Sequence, residues 1–165
     1  MSKSRPSVFW KALGLGVVAG MRSMTAPALL SSALRAKPSG RLAQSALSWM
    51  QSKTASRGLK LMAGAEMVSD KLPGMPDRTV PPVLLGRILS GALVGAVLYK
   101  TGRGSLFTGA AVGGLGAVAG TFAALRLRKL ASERTSLQEP WPGFVEDALT
   151  VATGKAVLSG YKPKR

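Results

Sequence analysis

The 165-residue chain contains no cysteine and no histidine. Disulfide staples, cysteine nucleophiles, histidine general bases and ordinary zinc sites are therefore excluded. Aromatic residues are scarce, at 5%, and only seven carboxylates face 23 Lys and Arg, for a net charge of +16. So basic a chain invites a nucleic-acid reading. That reading needs a soluble basic face with stacking aromatics, and the pattern shows neither. The charges instead flank apolar runs, as in a multi-pass bacterial inner-membrane protein whose cationic loops stay cytoplasmic. No nucleic-acid partner is expected.

What is abundant fits the same picture. Apolar residues make up 46% of the chain and are mainly Ala, Leu and Val, diluted by 20 Gly. Long runs of small residues suit helices packed backbone to backbone in lipid. The clearest run, 104–125, has no charge and would reach about 33 Å as a helix, enough for a hydrocarbon core of about 30 Å. The run 79–99 precedes it with one charge, Arg87, and with Thr79, Pro81 and Pro82 suited to a helix start. The short link 100–104 makes 79–126 a transmembrane hairpin.

The remaining segments are less regular. Residues 12–34 carry one charge, Arg22, near their centre, with Pro27 soon after. They read as one kinked span or as two half-helices turning back between Gly20 and Pro27. Lys3 and Arg5 before an apolar run resemble a signal peptide, but no small-residue cleavage site precedes Arg22, so an uncleaved first segment is expected. Residues 35–58 form a basic amphipathic linker whose stretch 42–50 suits a membrane surface. A short segment follows at 59–72, and a last one at 143–161.

The expected architecture is one all-α domain over residues 1–165, a polytopic bundle of about four to five membrane segments. The basic residues concentrate in 1–11, 35–60, 126–134 and 155–165. If all four lie in the cytoplasm, then 12–34 and part of 143–161 must enter and leave on one side, as re-entrant or broken helices. Four or five ordinary crossings are the alternative.

Glycines four apart stack on one helix face: Gly16 with Gly20, Gly91 with Gly95, Gly109 with Gly113, and Gly116 with Gly120. Internal helix packing is the first explanation, with a homo-oligomer seam as the alternative. The stretch Gly14 to Gly20 (GLGVVAG) matches Gly114 to Gly120 (GLGAVAG) at six of seven positions. Together with the acidic pairs Glu66–Asp70 and Glu146–Asp147, that suggests an inverted repeat of the kind found in transporters.

Arg22 and Arg87 carry the functional argument. A charge deep in an apolar span costs about 2.5–3.5 kcal/mol on insertion scales and needs an anionic companion. Glu66, Asp70, Glu146 and Asp147 can supply one internally. A broken helix with an Arg beside its exposed N–H groups is also a ready anion site. Thr25 and Arg78 complete the candidate anion set, and Asp77 joins the four carboxylates as candidates for gating or proton coupling. The turn-rich run 70–82 could present Lys71 and Arg78 to a phosphate or lipid headgroup. No nucleophile or oxyanion donor can be assigned, so catalysis is not expected, nor is a cofactor or metal.

Three runs add a likeness. AGMRSMTAPA from Ala19, EMVSDKLPGMPDR from Glu66 and GRILSGALVG from Gly86 resemble a bacterial family of small membrane proteins. That family is known only as a domain of unknown function, number four-one-two-six. The run 109–120 and the motif EDAL from Glu146 resemble it as well. The likeness implies one intact membrane domain and no particular activity. The functional expectation is thus a small transporter or channel for a small anion or a phosphate-bearing lipid, in contact with anionic lipids. The alternative is a structural or assembly protein with a closed charge network and glycine-mediated oligomerisation.

Overall fold

The computed structural model describes residues 5–69, 80–134 and 141–161, and among them the regular structure is entirely helical. Seven α-helices follow one another: α1 (Arg5–Met21), α2 (Thr25–Ala36), α3 (Gly40–Ala43), α4 (Lys53–Ser69), α5 (Pro81–Thr101), α6 (Leu106–Arg134) and α7 (Trp141–Leu158). A short 3₁₀ turn (Ser48–Gln51) lies between α3 and α4. Two helices, α5 and the stretch Leu106–Leu130 of α6, are long and apolar enough to cross a membrane.

The centre is a three-helix packing of α1, α5 and α6 whose contact surface is glycine. A Cβ on Gly95 or Gly113 would overlap the backbone of the facing glycine, and one on Gly16 or Gly20 would overlap α6. Gly113 lies where both α1 and α5 press on α6. All eight spaced glycines are buried inside the chain, so none is left to face another copy. Without Cβ atoms the backbones approach until dispersion contacts are made directly between main chains.

The α5–α6 turn is tight. The Gly104 N–H donates to the Tyr99 carbonyl at 2.7 Å, and Arg103 takes a left-handed conformation with φ of 68°. Beside this turn, the Tyr161 hydroxyl donates to Thr101 Oγ1 at 3.0 Å, and Lys11 Nζ sits 5.6 Å from the Tyr161 ring centre. The start of α1, the end of α5 and the end of α7 therefore share one end of the bundle, called the near end below.

Direction follows from the contacts. The helix α1 runs from the near end alongside α6 in parallel, Gly16 meeting Gly116 and Gly20 meeting Ala117. After Arg22 the chain reverses. Leu29 and Val18 both press on Gly154 of α7, so α2 returns toward the near end beside α1. In turn α4 runs antiparallel to α2, Ser56 lying by Ser32 and Glu66 by Ser23. Arg22, central in the sequence of 12–34, is thus at the tip of a helical hairpin. Its level on α6 is marked by Thr121, about 22 Å from the start of that helix and about 6 Å short of Leu125.

Three expectations change. The matching stretches 14–20 and 114–120 pack side by side in the same direction, so they are not related by inversion. Their likeness has a packing cause, since each supplies the flat face the other needs. Residues 126–134 lie at the far end, away from 5–11 and 35–60, because α6 continues past the level of the hairpin tip. The stretch 42–50 has a surface side, with Ala43, Gln44, Ala46, Ser48 and Trp49 exposed, but its ends turn inward: Leu42 and Met50 are fully buried in the core, held there in part by the Ser31 hydroxyl donating to the Met50 carbonyl at 2.6 Å. Thr79, expected to cap α5, lies outside the described residues; α5 opens with Pro81 and Pro82 in its first turn.

Glycine contact of this kind makes a sharp prediction. Gly113→Leu should destabilise the protein by about 3 kcal/mol through overpacking, whereas Gly86→Ala, with open space around it, should stay within about 0.5 kcal/mol of the parent. Thermal unfolding in detergent measures both.

Candidate functional site

The reversal between α1 and α2 leaves the last carbonyls of one helix and the first N–H groups of the next without helical partners. Those groups organise the site. At the α1 end, the Gly20 carbonyl accepts the Arg87 guanidinium and the Thr121 hydroxyl, the latter at 3.0 Å. Arg87 also reaches the Met21 carbonyl at 3.2 Å. The Ser90 hydroxyl, one turn along α5, donates to the Ser23 carbonyl.

At the α2 end, Glu66 is the cap. Its Oε1 accepts the Ser23 N–H at 2.9 Å and the Ser23 hydroxyl at 2.7 Å, while Oε2 accepts the Met24 N–H at 2.8 Å. Met24 itself offers no side-chain cap. Pro27, in the first turn of α2, lacks an N–H and so removes one donor that would otherwise need a partner. Arg22 is 1% exposed and forms an ion pair with Asp147 of α7. It also donates to the Glu66 carbonyl at 3.3 Å.

Electrostatically the two halves match. The partial negative end of α1 meets the cation Arg87, and the partial positive end of α2 meets the anion Glu66. Arg22 and Asp147 add a second cation and anion, so the four formal charges cancel. Hydrogen bonds to the Gly20 and Met21 carbonyls, at the partial negative end of α1, offset the cost of burying the Arg87 guanidinium, which is 2% exposed.

Of the sequence candidates, Arg22, Arg87, Glu66 and Asp147 come together. Thr25 is buried on the first residue of α2, and its hydroxyl has no hydrogen-bond partner among the described residues. Glu146 precedes Asp147 half-buried, and its carbonyl accepts the Thr150 hydroxyl at 2.8 Å. Asp70, Asp77 and Arg78 lie outside the described residues. Sequence reading missed Ser23, Ser90 and Thr121. Ser90 follows Arg87 by three positions on the same face, and Thr121 follows Gly120 in the apolar stretch of α6; both were legible as polar residues on faces already marked for contact. Among the described residues no group of His, Cys, Asp or Glu is arranged to hold a metal ion.

Breaking the buried pair from one side should be worse than removing it. Arg22→Met or Asp147→Leu alone should each cost about 3–5 kcal/mol, because each strands a dehydrated charge. The double variant should recover most of that loss. A double-mutant cycle read by thermal unfolding checks this, and additive losses would contradict the assignment. No protein-family model, curated protein or solved structure matches the chain.

Proposed function

We propose that the chain is a multi-pass protein of a bacterial inner membrane that moves a small anion, using the α1–α2 break as its anion site. In this reading α5 and α6 cross the bilayer, α1 and α2 form a re-entrant hairpin, and α4 and α7 complete the bundle. The resemblance of the runs at 19–28, 66–78 and 86–95 to a family of small bacterial membrane proteins agrees with that placement.

One observation carries the reading: the carboxylate of Glu66 sits on two backbone N–H groups and a hydroxyl at the start of α2. An incoming anion of one negative charge could take its place without changing the charge of the cluster. The carrier of Glu66, α4, packs chiefly on α2 and the 3₁₀ turn, so it has fewer contacts to lose in moving than α1, α5 or α6. The unpartnered Thr25 hydroxyl is a spare donor one residue beyond Met24. Two N–H groups and one hydroxyl suit a carboxylate or an anion of similar size.

The mutual cancellation of the charges of Arg22, Arg87, Asp147 and the half-buried Glu66 favours a second reading, a structural protein whose network stays closed. Its seam with another copy would have to avoid the glycine faces, which are filled within the chain.

Anion efflux from proteoliposomes separates the two. Charge-assisted hydrogen bonds are worth about 1.5–3 kcal/mol each, so removing those of Glu66 should favour the vacated site strongly. Glu66→Ala should therefore raise formate or chloride efflux about tenfold or more over the parent, since 1.4 kcal/mol is already a factor of ten. Folded protein that passes neither anion, in the parent and in Glu66→Ala alike, would sink the transport reading and leave the structural one.

A further inference from the structure

The near end of the bundle carries charge of one sign. Lys11, Arg35, Lys37, Arg41, Lys100 and Arg103 all lie on the segments that meet there. Among the described residues no Asp or Glu joins them: Glu66 and Asp147 meet at the break, Glu146 adjoins Asp147 on α7, and Glu133 belongs to the last turn of α6 at the far end. Exposed indoles accompany these cations. Trp10, 65% exposed, stands edge-on to Phe9 with ring centres 5.3 Å apart, next to Lys11. Trp49 is exposed on the connection between α3 and α4 although its neighbour Met50 is fully buried.

That connection is a fixed feature rather than a loose loop. Leu42 and Met50 anchor it in the core, and Gln51 bridges it by accepting from the Ser39 N–H and donating to the Ser39 carbonyl at 3.3 Å. A pinned surface holding cations and indoles is suited to the membrane–water boundary, where rings sit at headgroup level and cations meet phosphodiesters. Cytoplasmic segments, moreover, hold the excess of Lys and Arg. We propose that the near end is the cytoplasmic face and binds the headgroups of anionic phospholipids in the surrounding leaflet. The inference rests on the membrane reading above, though not on anion transport.

Because the chain has no cysteine, single-cysteine labelling tests orientation cleanly. Gln44→Cys at the near end should react with an impermeant maleimide only in inverted membrane vesicles, and Lys129→Cys at the far end only in spheroplasts. For the lipid arm, purified protein is titrated with phosphatidylglycerol or phosphatidylcholine and the tryptophan fluorescence is followed. The parent should prefer phosphatidylglycerol tenfold or more. Near a charged membrane each basic residue is worth roughly a factor of five (about 1 kcal/mol). The variant R35Q/K37Q/R41Q, altered only at the periphery, should therefore bind phosphatidylglycerol roughly 100-fold more weakly, and R126Q/K129Q at the far end should match the parent. Labelling in the opposite compartments, equal affinity for the two lipids, or a preference untouched by the near-end variant overturns the proposal. Carbonate extraction of the parent from membranes would instead show that the membrane reading has failed, and so tells the two failures apart.

Discussion

A helix that stops inside an apolar bundle leaves hydrogen-bonding groups that the protein itself must satisfy. Here α1 stops at Met21 and α2 starts at Thr25, so the two helix ends share one tip, where Met21, Arg22 and Thr25 are buried and Ser23 and Met24 half-buried. Arg87, Thr121, Ser90 and Glu66 each come from a different position along the chain to meet these groups. The arrangement of α4, α5 and α6 around the hairpin is therefore constrained by hydrogen-bond geometry as much as by packing. Arg22 and Asp147 bring α7 under the same constraint.

Glycine contact and the polar cluster are parts of one design. For the Thr121 hydroxyl to reach the Gly20 carbonyl, α6 must lie almost against α1, and only glycine at 16, 20, 116 and 120 permits that approach. The same closeness excludes side chains, and with them the dispersion energy that Leu or Val would bring. Main-chain contacts and a satisfied charge network replace it.

Much of this was legible in the residues. Long uncharged runs flanked by cations identified α5 and α6, and the four-residue glycine spacing identified their contact faces. A lone Arg in each of two apolar runs singled out Arg22 and Arg87, with Glu66, Asp70, Glu146 and Asp147 as equal candidates for their companions. The partnership itself was not legible. Nothing in the spacing says that Arg22 takes Asp147, or that Arg87 donates to the carbonyls of Gly20 and Met21. Such choices depend on which helix ends meet, a property of the tertiary arrangement. The apparent repeat misled for a related reason: two glycine faces that pack together come to look alike whatever their topology. The stretch 42–50 was legible only in part, because an apolar residue reads the same whether it is exposed, like Trp49, or enters the protein's own core, like Leu42 and Met50.

The pairing of Arg22 with Asp147 also bears on how the chain comes into being. The arginine belongs to the first helical hairpin and its counter-ion to α7, synthesised long afterwards. Before α7 is in place Arg22 has the Glu66 carbonyl within reach, at 3.3 Å, but not yet the Asp147 carboxylate. The ion pair thus fastens the first hairpin to the last helix, and it can form only once nearly the whole chain has been made.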